Sequence, residues 1–472
     1  MFQGDLIALY YWRLPILCVF CPHMQSFEIN KSDLLKIQAA LDGSDAELAK
    51  VLEEYHSSEI AILFEKLPVE ARERIINILP ADLASDVISE MDEEHNPGEL
   101  LVGLHPEKRS EIVEELDYDD ATDIISQLTE EDQREILADI DQEDAISIRA
   151  LLNYDEDTAG GLMNTDLIKV NINLNKKGAL DEIIRQSEEM EEFYTIYAVD
   201  NADVLQGIVS VKDIIKARSN SLVGELMKTD YVYIKADLDQ EEVAKLISQY
   251  NLTSIPVVDD NMRLLGRVTV DDIIDVMEEE NTEDILKIAG VSEDEELSGN
   301  WKDAIKSRLP WLVINLATAF LAASIIRGFN GTLEKLTIIS AYMTIIAGMG
   351  GNTATQALAV TVRRISLSDL SDKQAYNTVL KEFLVGLING AANGVIVFLV
   401  ALFYDRNPML GLVLFLAMTG NLIVAGLTGA GIPLILKRVG IDPAVASSII
   451  ITTFTDCIGF FLPLWLASKL LL

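Results

Sequence analysis

The fold of this chain is decided by the stretch Ser447-Ser448-Ile449-Ile450-Ile451-Thr452-Thr453-Phe454-Thr455-Asp456-Cys457-Ile458-Gly459-Phe460. It lies in the apolar run Ala444 to Ser468, which is long enough to cross a bilayer as a helix. Asp456 is the only charged residue of that run and lies near its midpoint. A carboxylate at that depth costs at least ~2.5 kcal/mol unless it meets water, a partner group or an ion. The run predicts either a protonated Asp456 bonded to a neighbouring helix or a polar site for a cation.

Charge divides the chain into two unlike halves. The 472 residues carry a formal net charge of −39. Residues 1–300 hold 24 Lys and Arg against 68 Asp and Glu, whereas residues 301–472 hold 13 against 8. Residues 1–300 therefore have a formal net charge of −44. A soluble half with this charge repels nucleic acid and anionic lipid, and it attracts cations. We therefore expect no nucleic-acid partner, and the length of the chain predicts several domains.

The N-terminal segment predicts little structure. Residues 1–23 are apolar and aromatic, but they lack the basic start and the small-residue cleavage site of a signal peptide. Cys18 and Cys21 form a single CxxC without a second pair, which disfavours a zinc site. We expect residues 1–25 to be an unstructured or non-native extension.

Residues 26–155 predict an acidic, all-α domain built from helical repeats. Three stretches share one design of helix, short turn and helix with a single apolar face: Leu67–Met91, Leu104–Leu128 and Leu128–Leu152. Repeated helical pairs of this kind stack into a superhelix. Most acids here are expected to be solvated helix starts. Asp119 and Asp123, one helical turn apart, are the pair for which we predict a metal-sensing role instead.

A second repeat occupies residues 156–219 and 220–284. Each copy predicts strand, helix, strand, strand and helix, and each contains Gly-x-Val-[Ser/Thr]-x-x-Asp-Ile at its end. This tandem arrangement resembles a pair of CBS domains. The resemblance implies a cleft for an adenine nucleotide such as ATP, although many CBS pairs serve only as packing modules. The hydroxyl and carboxylate positions of that cleft match two pairs, Ser210 with Asp213 and Thr269 with Asp272.

Residues 285–308 predict an acidic connecting (plug) helix that leads into the membrane half. Such a run of acids repels itself unless a divalent cation bridges it, although a solvated linker is the plainer explanation. The candidate regulatory metal ligands are acids from this region and from the two repeats: Asp119, Asp123, Asp271, Asp272, Glu279, Glu283, Asp284, Glu293, Asp294, Glu295 and Asp303.

Residues 309–472 predict five transmembrane helices. The apolar runs place them at about residues 309–326, 336–362, 382–403, 409–436 and 444–468. Lys and Arg flank these runs unevenly, with nine on the side of the N-terminal half and four on the other side. The positive-inside rule therefore puts the N-terminal domains in the cytoplasm and the short C-terminus outside.

Polar residues inside these spans predict an ion path lined by oxygen atoms. The second span contains Gly348-Met349-Gly350-Gly351-Asn352-Thr353-Ala354-Thr355-Gln356, and its glycines allow close helix approach or exposed carbonyl groups. The fourth span contains Asn421, and the four histidines of the chain all lie outside the spans. Carboxylate, amide, hydroxyl and backbone oxygens suit hard cations such as Mg²⁺, Ca²⁺ and Mn²⁺. One carboxylate per chain favours Mg²⁺, which is often held through its water shell.

The order of these parts resembles the MgtE family of magnesium transporters over about residues 26–472. The specific matches are Arg308-Leu309-Pro310-Trp311-Leu312, Gly350-Gly351-Asn352-Thr353, Asp442-Pro443-Ala444, and Thr452-Thr453 with Asp456 and Gly459. The resemblance implies a multidomain membrane protein with an all-α superhelical N domain, an α/β tandem CBS pair, a connecting helix and a five-helix transmembrane domain. It further implies a homodimer with its pore on the dimer axis, lined by the second and fifth spans. Cytoplasmic Mg²⁺ bound between the soluble domains and the connecting helices would hold that pore shut.

We therefore predict a non-enzymatic protein of the plasma (inner) membrane that mediates passive Mg²⁺ uptake. The predicted pore and selectivity residues are Asp456, Asn352, Gly351, Thr452, Thr453 and Gln356. An alternative is a Na⁺- or H⁺-coupled carrier of Mg²⁺, Co²⁺ or Mn²⁺, in which Asp456 titrates and the CBS pair senses ATP. A CBS-regulated anion channel is disfavoured, because an aspartate at the pore centre repels anions.

Overall fold

A computed structural model describes residues 31–64, 66–92, 95–187, 195–292, 301–367, 370–444 and 447–472. The predicted extension 1–25 and the predicted metal ligands Glu293, Asp294 and Glu295 lie outside these ranges. The chain forms two compact units. Unit 1 comprises the described residues up to Leu116 together with Ile124–Ala145, and unit 2 comprises Asp117–Asp123 and Ile146–Leu472.

Short amphipathic helices build the N-terminal part of the chain. They are α1 (Lys31–Leu41), α2 (Asp45–Leu52), α3 (Ser57–Phe64), α4 (Val69–Ile78), α5 (Ala81–Ser89), α6 (Pro97–Gly103), α7 (Pro106–Glu115), α8 (Tyr118–Ser126), α9 (Glu130–Asp139) and α10 (Gln142–Leu151). Within unit 1, the buried guanidinium of Arg109 on α7 pairs with Glu135 at 2.9 Å and with Asp139 at 2.6 Å on α9. The three predicted helical repeats correspond to the pairs α4–α5, α7–α8 and α9–α10.

Unit 2 begins with two copies of one α/β pattern. The first copy contains β1 (Lys169–Asn171), α11 (Lys176–Gln186), β2 (Thr195–Val199), β3 (Leu205–Ser210) and α12 (Val211–Lys216). The second contains α13 (Val223–Leu226), β4 (Ile234–Lys235), α14 (Gln240–Tyr250), β5 (Ser254–Val258), β6 (Leu264–Thr269) and α15 (Val270–Ala289). In each three-stranded sheet the central strand runs parallel to the first strand and antiparallel to the third. The predicted strand–helix–strand–strand–helix order is therefore confirmed in both copies.

The leading segment of each copy pairs with the other copy. Asn164 forms a β-bridge with Arg267 on β6, and Lys228 forms the equivalent bridge with Ile208 on β3. Glycine is needed at both crossings, because a Cβ at Gly266 would lie 2.8 Å from the carbonyl oxygen of Asn164. The two copies thus form one interlocked body. Helix α15 continues without a break past residue 284, where the sequence predicted a domain boundary.

Long helices make up the C-terminal part of unit 2. They are α16 (Trp301–Gly328), α18 (Ile338–Leu367), α19 (Asp372–Tyr404), α20 (Pro408–Val439) and α21 (Ser447–Leu470), with the short α17 (Asn330–Lys335) before α18. Among the described residues, α16, α19, α20 and residues 448–470 of α21 are long and apolar enough to cross a membrane. Helix α18, the second predicted span, has 30 residues but is not among these four. Its glycine, asparagine, threonine and glutamine residues explain its lower hydropathy.

Helix α20 forms the centre of this bundle. Its buried residues recur along nearly its whole length, from Leu410 to Pro433. Gly386, Gly390 and Gly394 on α19 lie directly on α20, because a Cβ at each would come within 3.0 Å of an α20 atom. Close backbone approach through small residues is the usual means of helix association in a bilayer, where lipid removes the hydrophobic advantage of large side chains.

Candidate ion path and metal-sensing acids

Helices α18 and α21 pack against each other in opposite directions. One apolar cluster joins Ile339 and Ile346 on α18 to Leu464 and Ala467 on α21. A second cluster joins the other end of α18, at Ala354 and Leu358, to Ile451 at the start of α21. The two predicted pore helices are therefore antiparallel neighbours.

This packing brings Asp456 and Asn352 to similar heights. Gly459 on α21 contacts Ala347 on α18 so closely that a Cβ at Gly459 would lie 2.8 Å from the Cα atom of Ala347. Asp456 precedes Gly459 by three residues, and Asn352 follows Ala347 by five, in antiparallel helices. With 1.5 Å of rise per residue, the two positions differ by about 3 Å along the helix axes.

Polar residues mark the face of α18 that the bundle leaves uncovered. Thr344, Gly348, Asn352 and Gln356 are exposed and recur at intervals of four residues. Beside them, Gly351 is partly exposed, and a Cβ added there would meet nothing within 4 Å. In lipid such a stripe is unfavourable, since amide and hydroxyl groups lose their hydrogen bonds to water. This face therefore suits water, an ion or another protein chain.

The neighbouring residues of α21 contribute hydroxyl and carboxylate oxygens. Asp456 is partly exposed, and no described residue donates a hydrogen bond or a positive charge to its carboxylate. The hydroxyls of Thr452 and Thr453 donate to the carbonyl oxygens of Ser448 and Ile449, at 2.8 and 2.7 Å. Their oxygen lone pairs remain available as acceptors. The arrangement offers carboxylate, hydroxyl and amide oxygens to a cation, and the residues named here on α18 and α21 include no positively charged side chain that would favour an anion.

A second acidic site lies within unit 2 at Asp119. The buried carboxylate of Asp119 accepts a hydrogen bond from the amide of Asn164 at 3.1 Å. Burial, followed by repulsion from Asp272 and from two nearby aspartates, raises the pKa of Asp119 well above its ordinary value. Burial also raises the pKa of Asp272, which accepts hydrogen bonds from Thr269. Asp123, the predicted partner of Asp119, is exposed instead.

Further predicted metal ligands on α15 lie near the membrane helices. Asp284 accepts a hydrogen bond from Ser366 on α18 at 3.0 Å, and burial raises its pKa. Glu283 pairs with Lys287, whose ammonium also contacts Asp442 in the loop before α21 at 2.9 Å. These contacts attach α15 to the membrane helices by polar groups, with a lysine between two carboxylates.

The remaining predicted acids are not gathered into one site. Asp271, Glu279 and Asp303 are exposed. Within the described ranges, no group of three or more His, Cys, Asp or Glu side chains is arranged to hold a metal ion. Asp119 and Asp272 come near enough for their carboxylates to repel each other, which sequence spacing did not reveal because the two residues are 153 apart in number.

The predicted nucleotide-binding pairs act as helix caps in this structure. Ser210 accepts a hydrogen bond from the amide of Asp213 at 3.2 Å and donates to its carboxylate at 2.7 Å. Thr269 and Asp272 form the equivalent capping box at the start of α15. Both pairs satisfy backbone groups at helix N-termini, where serine, threonine and aspartate are preferred. Local geometry explains these residues without a ligand.

Comparison with known proteins identifies the family. The chain is 35% identical over 445 residues to the magnesium transporter MgtE of Thermus thermophilus, which covers 93% of this chain and 98% of that relative. It is 36% identical over 404 residues to MgtE of Enterococcus faecalis, covering 85% and 88%. The chain belongs to the MgtE family. MgtE of Bacillus subtilis, 31% identical over 427 residues, covers 90% of the chain and 94% of that relative.

Three family profiles match parts of this MgtE-family chain. Residues 343–466 match the profile described as divalent cation transporter, which includes α19, α20 and most of α18 and α21. Residues 55–157 match the MgtE intracellular N domain, and residues 223–279 match the CBS domain. A solved structure described as the cytosolic domain of the Mg²⁺ channel MgtE in complex with ATP is 36% identical. It covers 52% of this chain and 99% of its own, with a TM-score of 0.49.

Proposed function

We propose that this MgtE-family chain is a homodimeric channel that mediates passive Mg²⁺ uptake across the plasma (inner) membrane. The observation that carries the proposal is the uncovered oxygen-rich face of α18 beside the carboxylate of Asp456, for which the described part of the chain supplies no partner. This face belongs to the segment that matches a divalent cation transporter profile. Three relatives named magnesium transporters cover most of the chain.

A second copy of the chain would complete the path. The polar face of α18 is exposed in one chain, and a lipid environment does not suit it. Two chains related by a two-fold axis would place two Asp456 carboxylates across a common path, with Asn352, Gly351, Gln356, Thr452 and Thr453 around them. The N-terminal helical domain and the CBS pair would lie in the cytoplasm and the C-terminus outside, as the distribution of Lys and Arg favours.

Membrane potential is sufficient to drive the uptake. Moving a divalent cation inward gains ~4.6 kcal/mol per 100 mV, which is twice the single-charge value. Paired carboxylates attract the hydrated ion, and amide, hydroxyl and carbonyl oxygens replace or bind its water. No chemical energy source is required for this movement.

The direct test is Mg²⁺ uptake by the full-length chain in liposomes at a set voltage. Asp456→Ala and Asp456→Asn are both expected to lower uptake at least tenfold, because the Asn variant keeps the size but loses the charge. Cys457→Ala, at the next position, is the matched control and is expected to retain wild-type uptake. Undiminished uptake in both Asp456 variants would exclude this residue from the ion path.

The same liposomes separate the channel from a coupled carrier. An imposed Na⁺ or H⁺ gradient is expected to leave Mg²⁺ uptake unchanged at constant voltage. Uptake that follows such a gradient would instead favour the Na⁺- or H⁺-coupled carrier, in which Asp456 exchanges a proton or a sodium ion.

We further propose that cytoplasmic Mg²⁺ regulates the channel through acids of unit 2. The pair Asp119 and Asp272 supplies carboxylate oxygens, Asn164 supplies an amide beside them, and burial makes the negative charges costly. This donor set fits a hard divalent cation, which would relieve the repulsion between the two carboxylates. Asp271, Glu279, Glu283, Asp284, Asp303 and the undescribed acids 293–295 would add to the local cation concentration.

Nucleotide binding at the CBS pair is a separate proposal. Ser210 with Asp213, and Thr269 with Asp272, would contact the nucleotide while they cap α12 and α15. ATP is then expected to raise the melting temperature of the wild-type chain, and Ser210→Ala is expected to reduce that ATP-induced shift. A melting temperature that does not respond to millimolar-range ATP would contradict the proposal.

A further inference from the structure

Asn421 is a buried polar residue in the middle of a membrane helix. It lies on α20, is 0% exposed, and has the buried apolar residues Met418, Leu422 and Ala425 beside it in the chain. Its amide oxygen has no hydrogen-bond partner among the described residues. An unpaired polar atom of this kind destabilises a fold, so packing alone favours an apolar side chain at this position.

The amide nitrogen of Asn421 binds α18 directly. It donates to the carbonyl oxygen of Ile346 at 2.7 Å. In an α-helix this carbonyl also accepts from the amide of Gly350, four residues later. The side chain of Asn421 therefore contacts α18 at Ile346, which lies one helical turn before Gly350 and six residues before Asn352.

Gly350 is required for this contact, whereas the nearby glycines Gly348 and Gly351 are not. A Cβ at Gly350 would lie 2.2 Å from the amide nitrogen of Asn421. A Cβ at Gly348 or Gly351 would meet nothing within 4 Å. The glycines of this stretch therefore differ in role, and only Gly350 makes room for the side chain on α20.

The contact fixes the helix on the side opposite the uncovered face. Two residues of an α-helix turn it by about 200°, so Gly350 and Asn352 lie on opposite sides of α18. Gly459 of α21 holds the same turn of α18 at Ala347. Residues 346–350 are thus held by α20 and α21 together, and Asn352 lies on the free side of that turn.

We infer that Asn421 is a positioning residue for ion selection. This inference rests on the proposed transport function. Its amide sets the rotation and height of α18, so that Asn352 lies beside the path past Asp456. Leucine has a similar branched shape but cannot donate to Ile346, so it removes the hydrogen bond that holds α18 in this position.

Asn421→Leu tests this inference in the full-length chain in liposomes. The ratio of Mg²⁺ to Ca²⁺ uptake is expected to fall about 3- to 15-fold, the factor that corresponds to one interhelical hydrogen bond in a membrane. The melting temperature is measured alongside the ratio, because the variant removes an unpaired amide oxygen and also the hydrogen bond to Ile346. A wild-type ratio in the variant, or equal uptake of both ions by the wild type, would overturn the inference.

A second set of variants separates positioning from packing. Gly350→Ala is expected to lower both the melting temperature and the uptake ratio. Gly431→Ala, at a helical position of α20 where an added Cβ meets nothing within 4 Å, is the control and is expected to change neither. Adding Asn421→Ala to Gly350→Ala makes room for the new methyl group and restores the melting temperature. The ratio is expected to remain low in the double variant, and its recovery would show that Asn421 only fills space.

A readout independent of transport keeps this inference distinct from the proposed function. In a cysteine-free background, Asn352→Cys is expected to react rapidly with a water-soluble methanethiosulfonate reagent. Adding Asn421→Leu is expected to slow that reaction several-fold, and an unchanged rate would contradict the positioning role. Wild-type Mg²⁺ uptake no greater than that of empty liposomes would contradict the transport function, while the thiol reaction still measures the position of α18.

Discussion

At the scale of single residues, Asp456 and Asp119 gave sequence signals of different strength. Asp456 stands out in the sequence because it is the only charge in an apolar run, and the structure leaves it without a charged partner among the described residues. Asp119 gave a weaker signal, since one acid among many at helix starts is ordinary. Its burial, and its closeness to Asp272, depend on how distant segments pack. The sequence therefore singled out both acids, but it paired Asp119 with Asp123 and gave no sign of its closeness to Asp272.

Asp119 is expected to make the fold less stable as pH rises. Its pKa is raised in the folded chain, so its contribution is fully present below the ordinary carboxyl pKa and is lost as pH rises through the folded value. Without Mg²⁺, Asp119→Asn should raise the melting temperature at neutral pH by about 2–4 °C per kcal/mol of repulsion removed. It should also flatten the melting profile between mildly acidic and neutral pH. The exposed Asp237→Asn is the control, and an equal pH dependence in all three proteins would contradict this account.

At the scale of elements, repeats and caps were readable but helix contacts were not. The Gly-x-Val-[Ser/Thr]-x-x-Asp-Ile pattern predicted two matching strand–helix junctions, and both occur as predicted. The exchange of leading segments between the two copies had no local signal. In the membrane half, three glycines in one stretch were indistinguishable in sequence, yet only Gly350 contacts α20 through Asn421.

The cap of α15 is expected to contribute measurably to stability. Thr269→Ala removes the hydroxyl that pairs with Asp272, which costs about 1 kcal/mol in comparable helix caps. Thr269→Ser keeps the hydroxyl, so its free energy of unfolding should differ from that of the wild type by only a few tenths of a kcal/mol. Chemical denaturation of the full-length chain in detergent, monitored by a probe in the CBS pair, measures the difference. Equal stability of the Ala and Ser variants would show that the capping box does not stabilise α15.

At the scale of the whole molecule, an acidic half and an apolar half share one chain. The formal net charge of −44 on residues 1–300 opposes close packing of the acidic segments with each other. Direct polar contacts join α15 to α18 and to the loop before α21, through Asp284, Ser366, Lys287 and Asp442. A cation that changes the charge near α15 therefore has a short route to the membrane helices.

Mg²⁺ is expected to protect the soluble half from proteolysis. Bound cations would reduce the repulsion between acids and favour a compact state, so cleavage should slow as Mg²⁺ reaches the millimolar range. Asp272→Asn should require more Mg²⁺ for the same protection, whereas Asp237→Asn, with the same change of charge, should behave like the wild type. Protection that is absent in the wild type would contradict regulation by Mg²⁺, and equal protection in both variants would exclude Asp272 as a ligand.

The sequence by itself determined the order of the parts and the class of the site. Hydropathy, internal repeats and charge are properties of neighbouring residues, so they predicted the helical repeats, the α/β pair, the long C-terminal helices and a carboxylate in an apolar run. Tertiary structure alone decided which groups meet across the chain. Asp119 lies near enough to Asp272 to be repelled by its charge, Gly459 contacts Ala347, and Asn421 donates to Ile346, because packing brings together residues that lie tens to hundreds of positions apart. These contacts depend on shape and burial, which no local pattern encodes.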